Sequence, residues 1–350
     1  MSLWPQAFAA LFAFAVGSGA AAKAAEPSPD AIWADYKAHF LSDDGRIVDE
    51  ADGADVSHSE GQGYGLLLAA FHGDRAAFGK MLAWTQANLY VRGDDLAAWR
   101  WRPGDSPHAL DLNNATDGDI LIAWALAEAG RRFGRPDYTE RARRIAHVVA
   151  WSLTTQAGFG LALSPGKLGF GPKDGEDGPV VNPSYWIYPA FTALQKITPE
   201  VDWAKIAGGG RALLDAAKFG PAKLPADWIS IKGVPAPAKA YPARFGYDAI
   251  RVPLYLIWDD PGDRGRIAPF AMGWAPEGGA APSTMPFEPG VKAETLDAPG
   301  YRAIAALVRC VAKGEEFPAE LRSPAFERYY PSTLHMLALT ALREKALSCA

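Results

Sequence analysis

The sequence predicts one large all-α domain. Ten stretches carry apolar residues at three- and four-residue spacing, the period of a helix that buries one face. Four long loops between them, 103–115, 163–182, 219–244 and 275–298, are rich in Gly, Pro and Asp. Strand-like runs are few and short, and no linker divides the chain into halves. Helix pairs in this number can close into a ring, with the long loops gathered at one end to shape a groove. Periodicity alone does not dictate that closure.

In chain order the predicted helices cover 30–41, 60–72, 74–90, 117–134, 137–154, 183–195, 199–218, 246–258, 299–313 and 331–346. In 117–134, Ile120, Ile122, Ala123, Leu126 and Ala129 line one side. Leu334, Leu337, Ala338 and Ala341 do the same in 331–346. Short strand signals occur at Arg46-Ile47-Val48 and at Trp228-Ile229-Ser230-Ile231. No constant short repeat is present, so a solenoid is not supported.

Composition narrows the function. The chain has 350 residues and a formal net charge of −5, with 49% hydrophobic and 21% charged residues. That is an ordinary globular balance and argues against a nucleic-acid backbone as partner. Twelve tryptophans, twelve tyrosines and sixteen phenylalanines exceed what packing usually needs and point to flat ligands stacked on rings. Residues 1–22 carry no charged side chain, and an apolar run passes into small residues around Ala20–Ala25. This reads as a signal peptide over 1–25, followed by a single domain over 26–350 and a periplasmic or secreted product. No other segment is long and apolar enough to span a membrane. Export would permit a Cys310–Cys349 disulfide. Cys349 is penultimate, where chains fray, and two unpaired thiols are the plainer expectation.

Three constellations stand out. The first is Ser57-His58-Ser59-Glu60-Gly61-Gln62-Gly63-Tyr64-Gly65. Ser57 and Glu60 fit a capping box, which accounts for Glu60 as a structural residue. Three glycines in five residues are not explained that way, since each costs about 1 kcal/mol in a helix interior. They imply a ligand or another backbone in close approach. The second is Ala115-Thr116-Asp117-Gly118-Asp119, where Thr116 and Asp119 again fit a cap and Asp117 is left over. Its D-x-D spacing lacks the further ligands of a calcium loop. The third is Arg244 to Pro253, in which Asp248 and Arg251 are either an i,i+3 surface pair or part of a site. The six histidines form no metal motif, and no nucleophile elbow or phosphate loop is present. No metal and no cofactor are expected. Carboxylates and aromatic rings on an α-rich scaffold suit glycosidic bond cleavage.

Taken together, these segments resemble glycoside hydrolase family 8. SEGQGYGLLLA is similar to that family's acid motif, ATDGDILIAWALAEAGRRF to its signature, and YDAIRVP to the segment carrying its base. The likeness runs from about Asp30 to Leu347. It implies an (α/α)6 barrel, with long loops forming an open substrate groove, and inverting hydrolysis of β-1,4-glucan. Glu60 would be the general acid, Asp248 the general base, and Asp117 would hold and distort the sugar. Trp101, Tyr185, Trp186, Tyr247 and Arg251 resemble subsite residues. Trp99 competes with Trp101 for one position, and Tyr329 and Tyr330 are in a similar situation. Many relatives carry Ala where this chain has Gly118, a small-for-small change. The likeness is strongest to periplasmic members encoded with bacterial cellulose synthase. This implies a nascent glucan chain as substrate and the cellulose synthase export machinery as partner, with no nucleic acid.

A helix N-terminus lowers the pKa of Glu60, whereas a general acid must keep its proton. Asp117 is the expected neighbour that opposes the dipole. Arg251 is expected to favour ionised Asp248. Rival readings are a chitosanase or xylanase of the same family, a glucan-binding assembly factor with little catalysis, and a lyase or epimerase on a similar ring.

Overall fold

The computed structural model describes residue 1 and residues 26–50, 53–290, 292–345 and 347–349. Apart from Met1, the signal peptide expected over 1–25 lies outside these residues, as does Ala346 of the 331–346 helix.

Eleven α-helices are present among the described residues. They are α1 (Pro29–Phe40), α2 (Ser59–Phe71), α3 (Arg75–Asn88), α4 (Thr116–Phe133), α5 (Pro136–Ser152), α6 (Tyr188–Gln195), α7 (Trp203–Ala216), α8 (Arg251–Asp259), α9 (Arg264–Gly273), α10 (Pro299–Lys313) and α11 (Tyr329–Glu344). α2 packs on α4, α4 on α6, α6 on α8, α8 on α10 and α11, and α11 returns to α2. That closes an inner ring of six. α3, α5, α7 and α9 lie against it from outside. α1 covers α11, where Tyr36 Oη and Thr333 Oγ1 lie 2.7 Å apart. The stretch joining α10 to α11 holds only a 3-10 turn, Ala319–Arg322, packed on α10. The fold is an (α/α)6 barrel with its last outer helix reduced to one turn.

Burial separates the two layers. α4 is buried without a break from Thr116 to Ala127, and α10 almost throughout. Outer α5 buries only Ala142, Ile145, Ala146, Val149 and Ala150, a single stripe.

The strands are short pairs that tie down the loops. β1 (Ser57–His58) pairs with β2 (Arg100–Trp101), and β3 (Thr154–Ala157) with β4 (Gly160–Leu163). β6 (Ile229–Ser230) sits between β5 (Val180–Val181) and β7 (Ala236–Pro237), and β8 (Arg244–Phe245) pairs with β9 (Met285–Pro286). Of the predicted strand runs, 229–230 is therefore a central strand. The 46–48 run makes the single bridge Leu41–Ile47, and Asp49 just after it bridges Val56.

Several boundaries differ from the sequence expectation. The 183–195 segment opens with a 3-10 turn, and its helix starts at Tyr188. The 246–258 helix starts at Arg251, which leaves Asp248 on a turn. α9 lacks a readable stripe, since it buries only Ile267, Phe270 and Ala271 and contains Pro269. Cys310 and Cys349 form a disulfide, against the expectation of free thiols, with Cα atoms 5.7 Å apart. The tail does not fray because the Phe317 amide donates to the Cys349 carbonyl at 2.9 Å.

The glycines at the start of α2 serve helix contact. A Cβ on Gly63 would lie 2.5 Å from Leu121 Cβ of α4. At the same crossing, a Cβ on Gly118 would lie 2.7 Å from Ser59 Cβ and 2.8 Å from the Glu60 amide. Gly118 is thus not a neutral small residue here, because it lets α4 press directly on the turn that carries Glu60. Gly63→Ala is expected to destabilise the fold by about 1–3 kcal/mol through overpacking. Urea unfolding with an unchanged m-value and a lowered midpoint would verify this.

Candidate active site

The two expected capping boxes do not form. His58 is the N-cap of α2, and its Nδ1 accepts from the Gly61 amide at 2.9 Å. Its proton is therefore on Nε2, 3.2 Å from Asp49 Oδ2. Ser57 Oγ instead donates to the Ile47 carbonyl at 2.6 Å. Glu60 is left free to face the groove. At α4, Ala115 is the cap residue without a side-chain bond, and Thr116 Oγ1 donates to the Ser164 carbonyl. Asp119 turns away, accepting from the Ala97 amide at 2.8 Å and from Asn114 Nδ2 at 2.9 Å. Asp117 and Asp119 thus serve different sites and do not act as a metal pair.

Arg251, 2% exposed, gathers the remaining acids. Its Nη1 contacts Glu60 Oε1 and lies 3.3 Å from Asp117 Oδ2. Its Nη2 donates to Asp248 Oδ1 and to Ser184 Oγ, both at 2.8 Å. Tyr64, one helical turn beyond Glu60, donates to Glu60 Oε1 at 3.4 Å. Asp248 Oδ2 accepts from the indole Nε1 of Trp228 at 3.1 Å. Glu60, Asp117, Tyr185, Asp248 and Arg251 line one cavity of about 240 Å³, with His58 and Trp99. A neighbouring cavity of about 360 Å³ is lined by Asp49, Tyr301, Arg328 and Tyr330.

Burial pushes the Asp117 carboxyl up to about 7, against the opposing pull of the Gly118 amide. Burial pushes Asp248 up to about 8, reinforced by the charges of Asp227 and Asp117. Arg251 was expected to favour ionised Asp248; burial and the charges of Asp227 and Asp117 push the other way. Asp248 nevertheless opens to the groove with 32% of its side chain exposed. Of these directions, the upward one for Asp248 follows from acid crowding as well as from burial. The Arg251 guanidinium also bridges Asp117 and Glu60 through one nitrogen.

The subsite expectations divide. Tyr185 lies in the cavity beside Asp117. Tyr247 is not among its lining residues; its hydroxyl donates to Glu294 Oε2 at 2.9 Å. Tyr330 donates to the Tyr247 carbonyl at 2.6 Å, whereas Tyr329 is buried in the core. Trp186 is no subsite residue: it is fully buried, with its Nε1 donating to the Ile206 carbonyl. Trp101 also points away, packed edge-on against Trp84 at 5.5 Å and under Arg46. Trp99 takes its place in the cavity. Strand alternation would put 99 and 101 on one face, but Trp99 lies on the bend before β2, outside the paired residues Arg100–Trp101, and so turns differently from Trp101. Sequence reading missed His58, Ser184, Asp227 and Trp228. The DW pair within LPADWISI was the available signal for the last two.

A probable endoglucanase of Novacetimonas hansenii is 38% identical over 330 residues, spanning 92% of this chain and 94% of that protein. The structure of the endo-β-1,4-glucanase of Acetobacter xylinum superposes with a TM-score of 0.81 at 38% identity, covering 91% of this chain and all of that one. A family 8 endoglucanase of Klebsiella pneumoniae gives 0.81 at 34% identity, over 90% and 99%. The family model for glycosyl hydrolases family 8 matches residues 2–344. With its acids meeting on one arginine inside a six-fold helical ring, the chain belongs to glycosyl hydrolases family 8.

Proposed function

We propose that this protein is an endo-1,4-β-glucanase that cuts cellulose-type chains with inversion, Glu60 acting as general acid and Asp248 as general base. The observation that carries the reading is the shared guanidinium. Glu60 and Asp248 bind different amino groups of Arg251, so their carboxyls are held apart by a fixed spacer. An inverting pair needs room for a water, about 6.5–9.5 Å between carboxyls. Glu60 delivers a proton to the leaving oxygen. Asp248 takes a proton from the water that attacks the opposite face. Asp117, protonated near neutrality, grips a sugar hydroxyl beside the cut. Tyr185, Tyr247 and Trp99 offer ring faces to the chain. The likeness to endoglucanases supports an internal cut.

The export expectation extends this reading. Among the described residues no helix is long and apolar enough to cross a membrane. The apolar N-terminal run supports a signal peptide and a periplasmic or secreted enzyme. The likeness to members encoded with cellulose synthase supports a role beside the cellulose synthase export machinery.

On soluble carboxymethyl cellulose, the protein is expected to drop viscosity quickly while releasing few reducing ends. Activity on chitosan or xylan with none on this glucan would overturn the substrate. Glu60→Gln and Asp248→Asn should each lower kcat by about 10²–10⁴-fold while still binding glucan. Proton NMR of the first product should show the α-anomer, and a β-anomer would exclude inversion.

Stability carries its own pH signature. Asp117, Asp119, Asp227 and Asp248 are all held above their ordinary value, up to between about 6 and about 8, mainly by burial. Each binds a proton more tightly folded than unfolded, so its contribution is present below about pH 4 and is lost as pH rises through 6 to 8. Asp94 works the other way. Partial burial pulls it upward, but Arg92 and Lys167 hold it down at about 2, so its contribution is lost in acid. Thermal unfolding is therefore expected to peak near about pH 5 and to fall on both sides. A melting temperature that climbs steadily from pH 5 to 8 would contradict the buried-acid account.

A further inference from the structure

Asp227 and Trp228 are not used by the reaction as described, yet both turn onto the segment that carries Asp248. Asp227 is 5% exposed. Its Oδ1 accepts from the Gly246 amide at 2.9 Å and from the Ala249 amide at 2.8 Å, on either side of Asp248. Its own amide donates to the Arg244 carbonyl at 2.9 Å, and Arg244 Nε lies 3.7 Å from its Oδ2. Gly246 permits this approach, since a Cβ there would come within 2.6 Å of Asp227 Oδ2.

Trp228 donates its indole N–H to Asp248 Oδ2 at 3.1 Å. Its ring is stacked by Tyr241 at 4.3 Å and 9° and by Phe170 at 5.8 Å and 11°. Tyr185 meets it at 64°, 6.1 Å away. A ring flanked in this way has no free face for a pyranose, and its polar edge is what reaches the groove. The next residue enters β6, bonded to strands on both sides, so the pair stands on a fixed base.

We propose that Asp227 and Trp228 are positioning residues for the general base: Asp227 clamps the 246–249 turn by its backbone, and Trp228 fixes one carboxyl oxygen of Asp248 while Arg251 fixes the other. With both oxygens oriented, the remaining lone pairs of Asp248 point to where the attacking water must lie. The inference rests on the reading of Asp248 as base.

Two conservative variants test it, beside Asp248→Asn. Trp228→Phe keeps the stacked ring and removes the N–H. Its kcat on soluble glucan should fall about tenfold, with KM within about twofold, because a donor to the ionised carboxylate is lost. For the same reason the acid limb of kcat/KM should move up by about one pH unit. Asp227→Asn keeps an acceptor for the two amides and removes a negative charge beside Asp248, so its acid limb should move down. A purely structural role would not separate the two limbs in opposite directions. A Trp228→Phe enzyme with raised KM but unchanged kcat and acid limb would make the indole a sugar contact and overturn the proposal. Wild-type behaviour of that variant would overturn it as well. Should Trp228→Phe fail to fold, the Asp227→Asn profile decides alone, and an acid limb that does not move down overturns the proposal. Full activity in Asp248→Asn would instead refute the base assignment on which the inference rests.

Discussion

The active end of the barrel is organised around one buried cation. Arg251 opens α8 and holds carboxyls from the starts of α2 and α4 and from the turn before α8. A buried guanidinium without partners costs several kcal/mol, and so does a buried carboxylate. Neither side of this cluster is tolerable alone, so the three elements must converge for any of them to be buried. One positive charge faces three acids, and the shortfall is met by protons. Asp117 and Asp248 hold theirs close to neutrality. A base must be ionised to take a proton from water, so Asp248 can act as one only in the fraction of molecules that has released its proton.

Convergence depends on how closely the inner helices approach. Gly63 and Gly118 face each other across the α2–α4 crossing, where ordinary side chains would hold the helix axes apart. Because Glu60 lies within one turn of both, its place relative to Arg251 is set by backbone packing and not by its own rotamer alone. Gln62 fixes the same turn from the other side. Its Oε1 accepts from the Ile47 amide at 2.5 Å, and its Nε2 donates to Thr85 Oγ1 at 2.7 Å. The glycine cluster that looked like a ligand cradle is thus a helix-packing device whose result is catalytic geometry.

Much of this was legible in the sequence, for a physical reason. Long helices with strong stripes, such as 117–134, announce themselves, and short helices such as α9 do not. Of the acids only Asp117 was left over by its cap; Glu60 fitted a cap and Asp248 a surface pair, and their roles were read from the resemblance to the family's motifs. The caps misled, since S-x-x-E and T-x-x-D fit a box locally, but tertiary partners took Ser57 and Asp119 for other amides. Trp186 and Trp101 misled in the same way. A tryptophan near a site is as often packing as platform, and only burial separates the two. Trp228 and Asp227 carried only a local signal, the DW pair, because their partners are some 20 residues later, where periodicity does not reach. The disulfide was misjudged because fraying depends on what the tail touches, here the Phe317 amide.

The two acids proposed to react are held by different means. Glu60 stands on the first turn of a helix buried in the ring, and its position is as rigid as the α2–α4 packing. Asp248 stands on a turn, where helix geometry fixes nothing, and the 246–249 amides need an outside acceptor to stop that turn from drifting. The asymmetry matches what each group must do. A proton donor addresses an oxygen of the sugar chain, which the groove itself aligns. A base addresses a single water, which nothing aligns except the base and its neighbours. Small errors in orientation are therefore more costly on the Asp248 side. The Asp248 side is also where the fold concentrates its extra holding contacts: two backbone amides, an indole N–H, an arginine and a three-stranded sheet behind them.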